Sequence, residues 1–164
     1  GDHRDLHSFP TRRSSDLDVS FNVKRGEFLC IVGPTGCGKT TFLNSLTKLY
    51  DIDGGDILVD GNPVDLRRNN IAYIFQEYST MSWLKVEENI RFGLDIKGCS
   101  ESLIKQRVES VMAMVGLEAY RNYYPKQLSA SMLQRVVIAR AFAVEPELLL
   151  MDEQIGRASC REKV

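Results

Sequence analysis

Short apolar runs and a helical stripe alternate along the first half of the chain. Residues 27–32 form a nearly continuous apolar run, the pattern of a strand that is buried on both faces. Apolar residues recur at helical spacing over residues 40–49, and the polar stretch 51–55 marks the end of that helix. Residues 56–59, followed by a turn, and residues 71–75 are predicted to be further strands. The first half of the chain is therefore predicted to mix strands with one helix.

The second half of the chain is predominantly helical in its pattern. One predicted helix has Ser100 as its N-cap and a single apolar stripe, formed by Leu103, Ile104, Val108, Val111, Met112 and Val115. Pro125 interrupts the pattern, and Ser129 can cap a further helix that runs to about Val144. Leu148–Met151 is predicted to be a final buried strand. Strand, loop and helix followed by a later strand is an α/β layout.

Composition and charge narrow the class of protein. The 164 residues are 43% apolar, which suits one domain with a proper core. Lys and Arg total 21 against 22 for Asp and Glu, so the net charge of -1 predicts no nucleic-acid partner. The longest apolar runs are far shorter than the roughly 18 to 20 residues that cross a bilayer. The four cysteines form no CxxC pair, so we expect neither disulfides nor structural zinc.

The two ends of the chain are related to each other at the level of DNA. One encoding of residues 155–164, translated from the opposite strand, gives HFFPTRRSSD, which agrees with residues 7–16 except at Ser8. Ends that decode from opposite strands of one oligonucleotide resemble translated sequencing adapters, and such segments are excluded from reasoning about the fold. We therefore expect residues 1–17 and 155–164 to be adapter-derived or disordered, and residues 18–154 to form the protein domain.

A phosphate-binding motif lies between the first predicted strand and the first helix. Residues 33–40, GPTGCGKT, match G-x-x-x-x-G-K-[ST], and their glycines let successive backbone N–H groups converge on phosphate oxygens. Lys39 is expected to reach the β- and γ-phosphates, and Thr40 to place its hydroxyl on Mg²⁺. The predicted nucleotide site consists of Gly33, Pro34, Thr35, Gly36, Cys37, Gly38, Lys39, Thr40 and Thr41.

Two carboxylates follow the last predicted strand. Residues 147–153, ELLLMDE, would carry Asp152 to the carboxyl edge of the sheet, where open α/β sheets bind their ligands. Oxygen ligands suit Mg²⁺, so Asp152 is a candidate metal ligand. Glu153 is a candidate to orient or deprotonate an attacking water. The alternative, an acidic pair that merely ends a strand, is disfavoured by the phosphate motif in the same chain.

Four ordered motifs across residues 18–153 resemble the ATP-binding subunit of ABC transporters. GPTGCGKTT is similar to Walker A, and LLLMDE to Walker B with the catalytic glutamate. IAYIFQEY places Gln76 at the position of the Q-loop. YPKQLSASMLQRVVIARAFAVEPELLLMDE is similar to the signature helix running into Walker B. A general P-loop protein would supply only two of these motifs.

The resemblance implies a fold and an assembly. The fold would be an α/β P-loop NTPase of the ABC ATPase type, incomplete at both ends. It would have a central, mostly parallel sheet, an antiparallel β-subdomain and a helical subdomain at about residues 77–144. The expected partners are a second ATPase subunit in a head-to-tail dimer, transmembrane permease subunits and, indirectly, a solute-binding protein. The expected location is the cytoplasmic face of the inner or plasma membrane.

The resemblance also implies roles for individual residues with ATP and Mg²⁺ as cofactors. Lys39, Gln76 and Glu153 would be catalytic. Gln76 would contact Mg²⁺ or the attacking water, and it would share the metal site with Thr40 and Asp152. Ser129 would bind the γ-phosphate held by the other subunit, again an anion at a helix N-terminus. The implied reaction is ATP hydrolysis coupled to transport.

Within the family, FQEYSTMSWLKVEENIRFGL resembles the nitrate, sulfonate and taurine importer group, because that group has an aromatic-rich segment with a Trp–Leu pair. Here the pair is Trp83–Leu84. Trp83 is expected to be either a surface anchor against the membrane subunit or an ordinary packing residue. The predicted function is therefore the ATPase subunit of an importer for a small solute.

The signature departs from the family pattern. Residues 128–132 are LSASM, so Ala130 and Ser131 stand where the family has glycines. Their side chains occupy space where bare backbone would approach a phosphate, and a positive φ is costly for alanine. We therefore expect weakened binding in trans. We also expect low ATPase activity of this polypeptide, because the D-loop and switch histidine that the family carries after Walker B are not in this sequence. The alternatives are a non-transport ABC-type ATPase and a degenerate subunit that binds nucleotide without hydrolysing it.

Overall fold

A computed structural model describes residues 20–52 and 54–152 of the chain. Its helices are α1 (Lys39–Leu46), α2 (Val86–Ile96), α3 (Glu101–Val115) and α4 (Ala130–Ala143). Its strands are β1 (Leu58–Val59), β2 (Asn62–Pro63), β3 (Ile71–Ile74) and β4 (Leu148–Met151). Short 3₁₀ turns lie at Glu118–Tyr120 and Pro125–Gln127. Strands and helices are mixed, as the α/β prediction requires.

Helices α2, α3 and α4 pack together around the larger hydrophobic core. Ser100 is the N-cap of α3, where its hydroxyl accepts the Leu103 N–H at 3.4 Å, and Gly116, with φ 66°, is the C-cap. Ser129 is the N-cap of α4 in the same way. Both predicted caps are confirmed, and the predicted stripe supplies buried core residues, namely Ile104, Val108, Val111 and Met112. These three helices form the helical part of the fold.

The two sheets differ in direction. Strands β3 and β4 are parallel, with Ile71 opposite Leu148 and Ile74 opposite Met151. Ala72 and Ile74 bury one face of this pair against α4. Strands β1 and β2 form an antiparallel hairpin, closed by Asp60 and Gly61 at φ 50° and 76°. The fold therefore contains both a parallel and an antiparallel strand pair, as the resemblance to the ATP-binding subunit implied.

The expected buried strand over residues 27–32 is wrong. This segment has no strand hydrogen bonding in the structure, and its apolar side chains are exposed, with Phe28 at 68% and Val32 at 87%. A run that is buried on both faces needs a strand at its side and helices on both faces. In the described part of the chain β3 pairs only with β4, so residues 27–32 have no such neighbour.

The predicted first helix is shorter than expected. It ends at Leu46 rather than at Leu49, because Lys48 adopts a left-handed conformation with φ 53°. The Leu49 N–H then donates to the Asn44 carbonyl at 3.0 Å, which closes the helix end. Leu49 is consequently 59% exposed. In the described residues, no helix is both long and apolar enough to cross a membrane.

Candidate functional site

The phosphate loop, residues 33–40, turns directly into helix α1. Gly36 and Gly38 have φ of 82° and 99°, which L side chains rarely adopt. Gly38 is the N-cap of α1, and no side chain caps the helix there. The first helical bond runs from the Phe42 N–H to the Gly38 carbonyl at 2.8 Å. The preceding N–H groups of the first turn therefore have no partner within the helix and can receive an anion.

Lys39 folds back over this loop. Its ammonium nitrogen donates to the carbonyl oxygens of Gly33 at 2.8 Å and Pro34 at 2.9 Å. The Sγ of Cys37 lies 3.7 Å from the same nitrogen. A Cβ on Gly33 would stand 2.7 Å from that Sγ, so any larger residue there would require the Cys37 side chain to move. The loop carbonyls thus hold a positive charge next to the free N–H groups.

The remaining predicted loop residues lie on the open side of the loop. Pro34 and Thr35 are exposed, and so are Thr40 and Thr41 on the first turn of α1. The side chain of Thr40 is therefore accessible to a ligand at the loop. The structure therefore places the predicted nucleotide-binding residues on one continuous loop and helix start.

Asp152 lies directly after β4 and is only 5% exposed. Its backbone N–H donates to the Ile74 carbonyl at 3.0 Å, which continues the parallel ladder. Its side chain hydrogen-bonds to Tyr73. Burial, followed by the charge and hydrogen bond of Asp152, raises the pKa of Tyr73 to about 12. A buried carboxylate thus ends the strand, as predicted, and a tyrosine holds it in place.

Tyr73 was not among the predicted site residues. It pairs with Leu150, so Asp152 lies two residues further along the same face of the sheet. Its ring also contacts Phe75 edge-on, with centroids 4.3 Å apart. The sequence shows a tyrosine within an apolar strand, but only the strand register places that tyrosine beside Asp152.

Gln76 and Ser129 occupy exposed positions. Gln76 follows β3 by two residues, so it lies at the same carboxyl edge of the sheet as Asp152. The hydroxyl of Ser129 accepts the Met132 N–H at 3.4 Å and lies 3.1 Å from the hydroxyl of Ser131. Glu153 lies outside the described residues. The structure thus places Gln76 and Asp152 at the same carboxyl edge of the β3–β4 sheet, whereas Ser129 lies at the N-terminus of α4.

Arg140 connects α4 to the segment that follows Gln76. Its guanidinium donates to the Ser79 hydroxyl at 2.7 Å, and burial lowers its pKa. No local sequence pattern predicts this contact, because the two residues are distant along the chain. It links the helix that begins at Ser129 to the loop that carries Gln76.

The residues present fit a nucleotide with Mg²⁺. In residues 20–52 and 54–152, no cluster of three or more His, Cys, Asp or Glu side chains could hold a metal alone. One buried carboxylate and an accessible threonine hydroxyl are instead the kind of oxygen donors that Mg²⁺ takes together with phosphates and water. The uncapped helix start supplies donors for the phosphates. The chemistry of these donors therefore suits a nucleotide together with its metal ion.

Comparisons with known proteins give a family and several relatives. The sequence profile of the family described as "ABC transporter" matches residues 17–156. A sulfate/thiosulfate import ATP-binding protein of Synechocystis is 39% identical over 142 residues, which cover 85% of this chain and 40% of the relative. A spermidine/putrescine import ATP-binding protein of Thermotoga maritima is 43% identical over 144 residues, covering 85% of this chain and 39% of the relative. The chain thus spans less than half the length of either relative.

Solved structures match the fold. The ATP-binding cassette MJ0796, solved as a dimer in a post-hydrolysis state with ADP and Pi, gives a TM-score of 0.69 at 34% identity. The match covers 80% of this chain and 62% of that one. The protein cbiO1 of Clostridium perfringens, described as part of the transporter complex cbiONQ, gives a TM-score of 0.75 at 29% identity. That match covers 82% of this chain and 57% of that one.

Proposed function

The chain belongs to the ABC transporter family and has the P-loop fold of its ATP-binding domain, and from this premise we propose that it is the ATP-hydrolysing subunit of an importer. The observation that carries the proposal is the phosphate loop. Its ammonium, glycine turns and uncapped helix start converge on one place. Residues 18–154 form the domain in this proposal.

We assign each predicted residue a role in binding ATP. The N–H groups from Gly36 to Thr41 receive the phosphates, and Lys39 exchanges its two carbonyl partners for phosphate oxygens. Thr40 and Asp152 supply oxygen ligands to Mg²⁺, with Gln76 at the same edge. Mg²⁺, when bound, neutralises charge on the β- and γ-phosphates.

Hydrolysis needs a water placed in line with the γ-phosphate. In the proposal, Gln76 orients that water, and Glu153 takes its proton. Ser129 contacts the γ-phosphate held by a second copy in a head-to-tail dimer. The MJ0796 structure, which is dimeric with ADP and Pi bound, supports a dimer as the nucleotide-bound state in this proposal.

Trp83 marks the surface that we assign to the permease. Its side chain is 73% exposed, so it is not an ordinary packing residue. It borders a groove of about 430 Å³ that Leu84, Glu88, Arg91, Phe92 and Asp95 also line. In the described residues this exposed tryptophan follows Gln76 by seven positions, close to the nucleotide edge in sequence. We propose that a permease subunit docks here, at the cytoplasmic face of the membrane, and that a solute-binding protein acts through that permease.

The solute is small in this proposal. The relatives are named for import of sulfate/thiosulfate and of spermidine/putrescine. This degree of sequence identity therefore does not distinguish one solute from another. The nitrate, sulfonate or taurine class stays a prediction that rests on the Trp83–Leu84 segment.

The test is to co-express the chain with each candidate permease and solute-binding protein encoded in its own genome. An importer subunit assembles with the permease and releases phosphate faster when the loaded solute-binding protein is added. Phosphate release with no permease assembly would favour a non-transport ATPase instead. Binding of labelled ATP without phosphate release, in the assembled complex, would favour the degenerate subunit.

A further inference from the structure

A buried amide on helix α2 closes the turn that carries Trp83. Asn89 is 0% exposed. Its Oδ1 accepts the Met81 N–H at 2.8 Å, and its Nδ2 donates to the Met81 carbonyl at 3.1 Å. The same Nδ2 lies 2.9 Å from the Leu84 carbonyl and 3.0 Å from the Lys85 carbonyl. One side chain thus joins both ends of the turn over residues 81–85.

Backbone bonds complete this turn. The Leu84 N–H donates to the Met81 carbonyl at 3.1 Å, and the Lys85 N–H donates to the Glu88 carboxylate at 2.7 Å. The inner face of the turn is therefore paired, and Trp83 points outward because that face is filled. Loss of the Asn89 amide would remove the bonds to the Met81 N–H and the Leu84 carbonyl, whereas the Met81 and Lys85 carbonyls would keep their backbone donors.

An exposed tryptophan on a turn held by hydrogen bonds is suited to anchor a binding partner. Tryptophan is enriched among residues that dominate binding energy, and a group held in its bound shape loses less entropy on binding. Among the described residues that line the groove, Glu88 and Asp95 are acidic and Arg91 is basic, and Arg91 is paired with Asp95 and with Glu101. The surface therefore fits a segment with an apolar side chain and a basic flank.

We propose that Asn89 is a positioning residue that holds Trp83 ready for such a segment of the permease. The inference rests on the proposed function for its partner. The effect of Asn89 on the turn over residues 81–85 can be tested without any partner. Trp83 is the only tryptophan of the chain, so its fluorescence reports on this turn alone.

The test compares Asn89→Ala with Asn70→Ala. Asn70 is a matched control, since its amide donates to the carbonyls of Val144 and Glu145 and accepts from Lys97, away from the turn. In Asn89→Ala we expect fast hydrogen exchange at the Met81 amide and about a twofold larger fast component in the anisotropy decay of Trp83. In Asn70→Ala both should equal the wild type. Unchanged exchange at Met81 in Asn89→Ala, or equal changes in the two variants, would overturn the proposal.

Asn89→Asp serves if Asn89→Ala does not fold. It keeps the acceptor for the Met81 N–H and removes the amide donors, so exchange at Met81 should stay slow while the mobility of Trp83 rises. If Trp83 were as rigid in Asn89→Asp as in the wild type, the result would contradict the proposal that the Asn89 amide holds the turn.

The assembled complex gives the last measurement. We expect the permease affinity of the Asn89 variant to fall about tenfold, with ATP affinity unchanged. Equal permease affinity of variant and wild type would overturn the positioning role. If the wild type itself does not bind the permease, the proposed function fails, while the exchange and anisotropy results still decide whether Asn89 holds the turn.

Discussion

The phenol of Tyr73 hydrogen-bonds to the carboxylate of Asp152 across the parallel strands β3 and β4. The register makes this contact possible, because Tyr73 is opposite Leu150 and side chains two residues apart share a face. The carboxylate assigned to Mg²⁺ is therefore oriented by a tyrosine of β3 for which the sequence predicted no role in nucleotide binding.

Alkaline stability should depend on Tyr73. Its folded-state pKa is raised to about 12, whereas an unfolded tyrosine titrates near 10.0. The stabilisation is therefore complete below pH 10 and is lost as the pH rises towards 12. In metal-free protein, Tyr73→Phe should lower the dependence of Tm on pH in this window. Thermal melts across the window measure it, with Tyr123→Phe as the control that should keep the wild-type slope. Parallel curves for Tyr73→Phe and wild type would contradict the prediction.

Nucleotide affinity should depend on Lys39. Its ammonium is the charged donor at the phosphate loop, and hydrogen bonds to charged groups contribute about 1.5–3 kcal/mol. Lys39→Ala should weaken ATP binding by about tenfold or more in calorimetric titrations. Lys105→Ala removes an exposed lysine on α3 and should leave the affinity unchanged. Comparable losses in both variants would show that the effect is only one of net charge.

Gly38 should tolerate no side chain. Its φ of 99° lies where an L residue is strained, so Gly38→Ala should destabilise the fold by about 1–2 kcal/mol. Urea unfolding measures this change, and ATP affinity should fall with it because the helix start is displaced. Gly54→Ala is the matched control, since Gly54 has no neighbour within 4 Å and no positive φ. Equal free energies of unfolding for Gly38→Ala and Gly54→Ala would show that a side chain at position 38 causes no backbone strain.

The altered signature should limit dimer formation. The Ser131 hydroxyl lies 3.1 Å from that of Ser129, so it competes for the group assigned to the partner's phosphate. The double variant Ala130→Gly, Ser131→Gly should strengthen the MgATP-dependent dimer and raise phosphate release, although glycine lowers helix stability by about 1 kcal/mol per site. Analytical ultracentrifugation and phosphate release measure these effects.

A matched control exists for this variant. Helix α3 begins with the same geometry, because the Ser100 hydroxyl caps the helix and lies 3.1 Å from that of Ser102. Ser102→Gly should therefore lower helix stability without changing the dimer. A dimer that is no stronger in the double variant than in Ser102→Gly would count against a role for LSASM.

Local patterns predicted much of the fold and of the site. Ser100 and Ser129 were identified as caps because a cap depends on residues three positions away. The phosphate loop was identified because its chemistry lies in eight consecutive residues. The strand predicted over residues 27–32 was wrong because a strand forms only with a neighbour, which an apolar run does not specify.

The sequence by itself determined the phosphate loop, the helix caps and the apolar stripe of α3, since each depends on contacts between residues close along the chain. Only the tertiary structure decided that Tyr73 contacts Asp152 and that Arg140 reaches Ser79. These contacts join residues that are far apart in the chain, so they depend on strand register and helix packing. The hydrogen-bond partners of Asn89 are near in sequence, as for a helix cap. Its role nevertheless depends on the tertiary structure, because it follows from the burial of Asn89 beneath the turn that exposes Trp83.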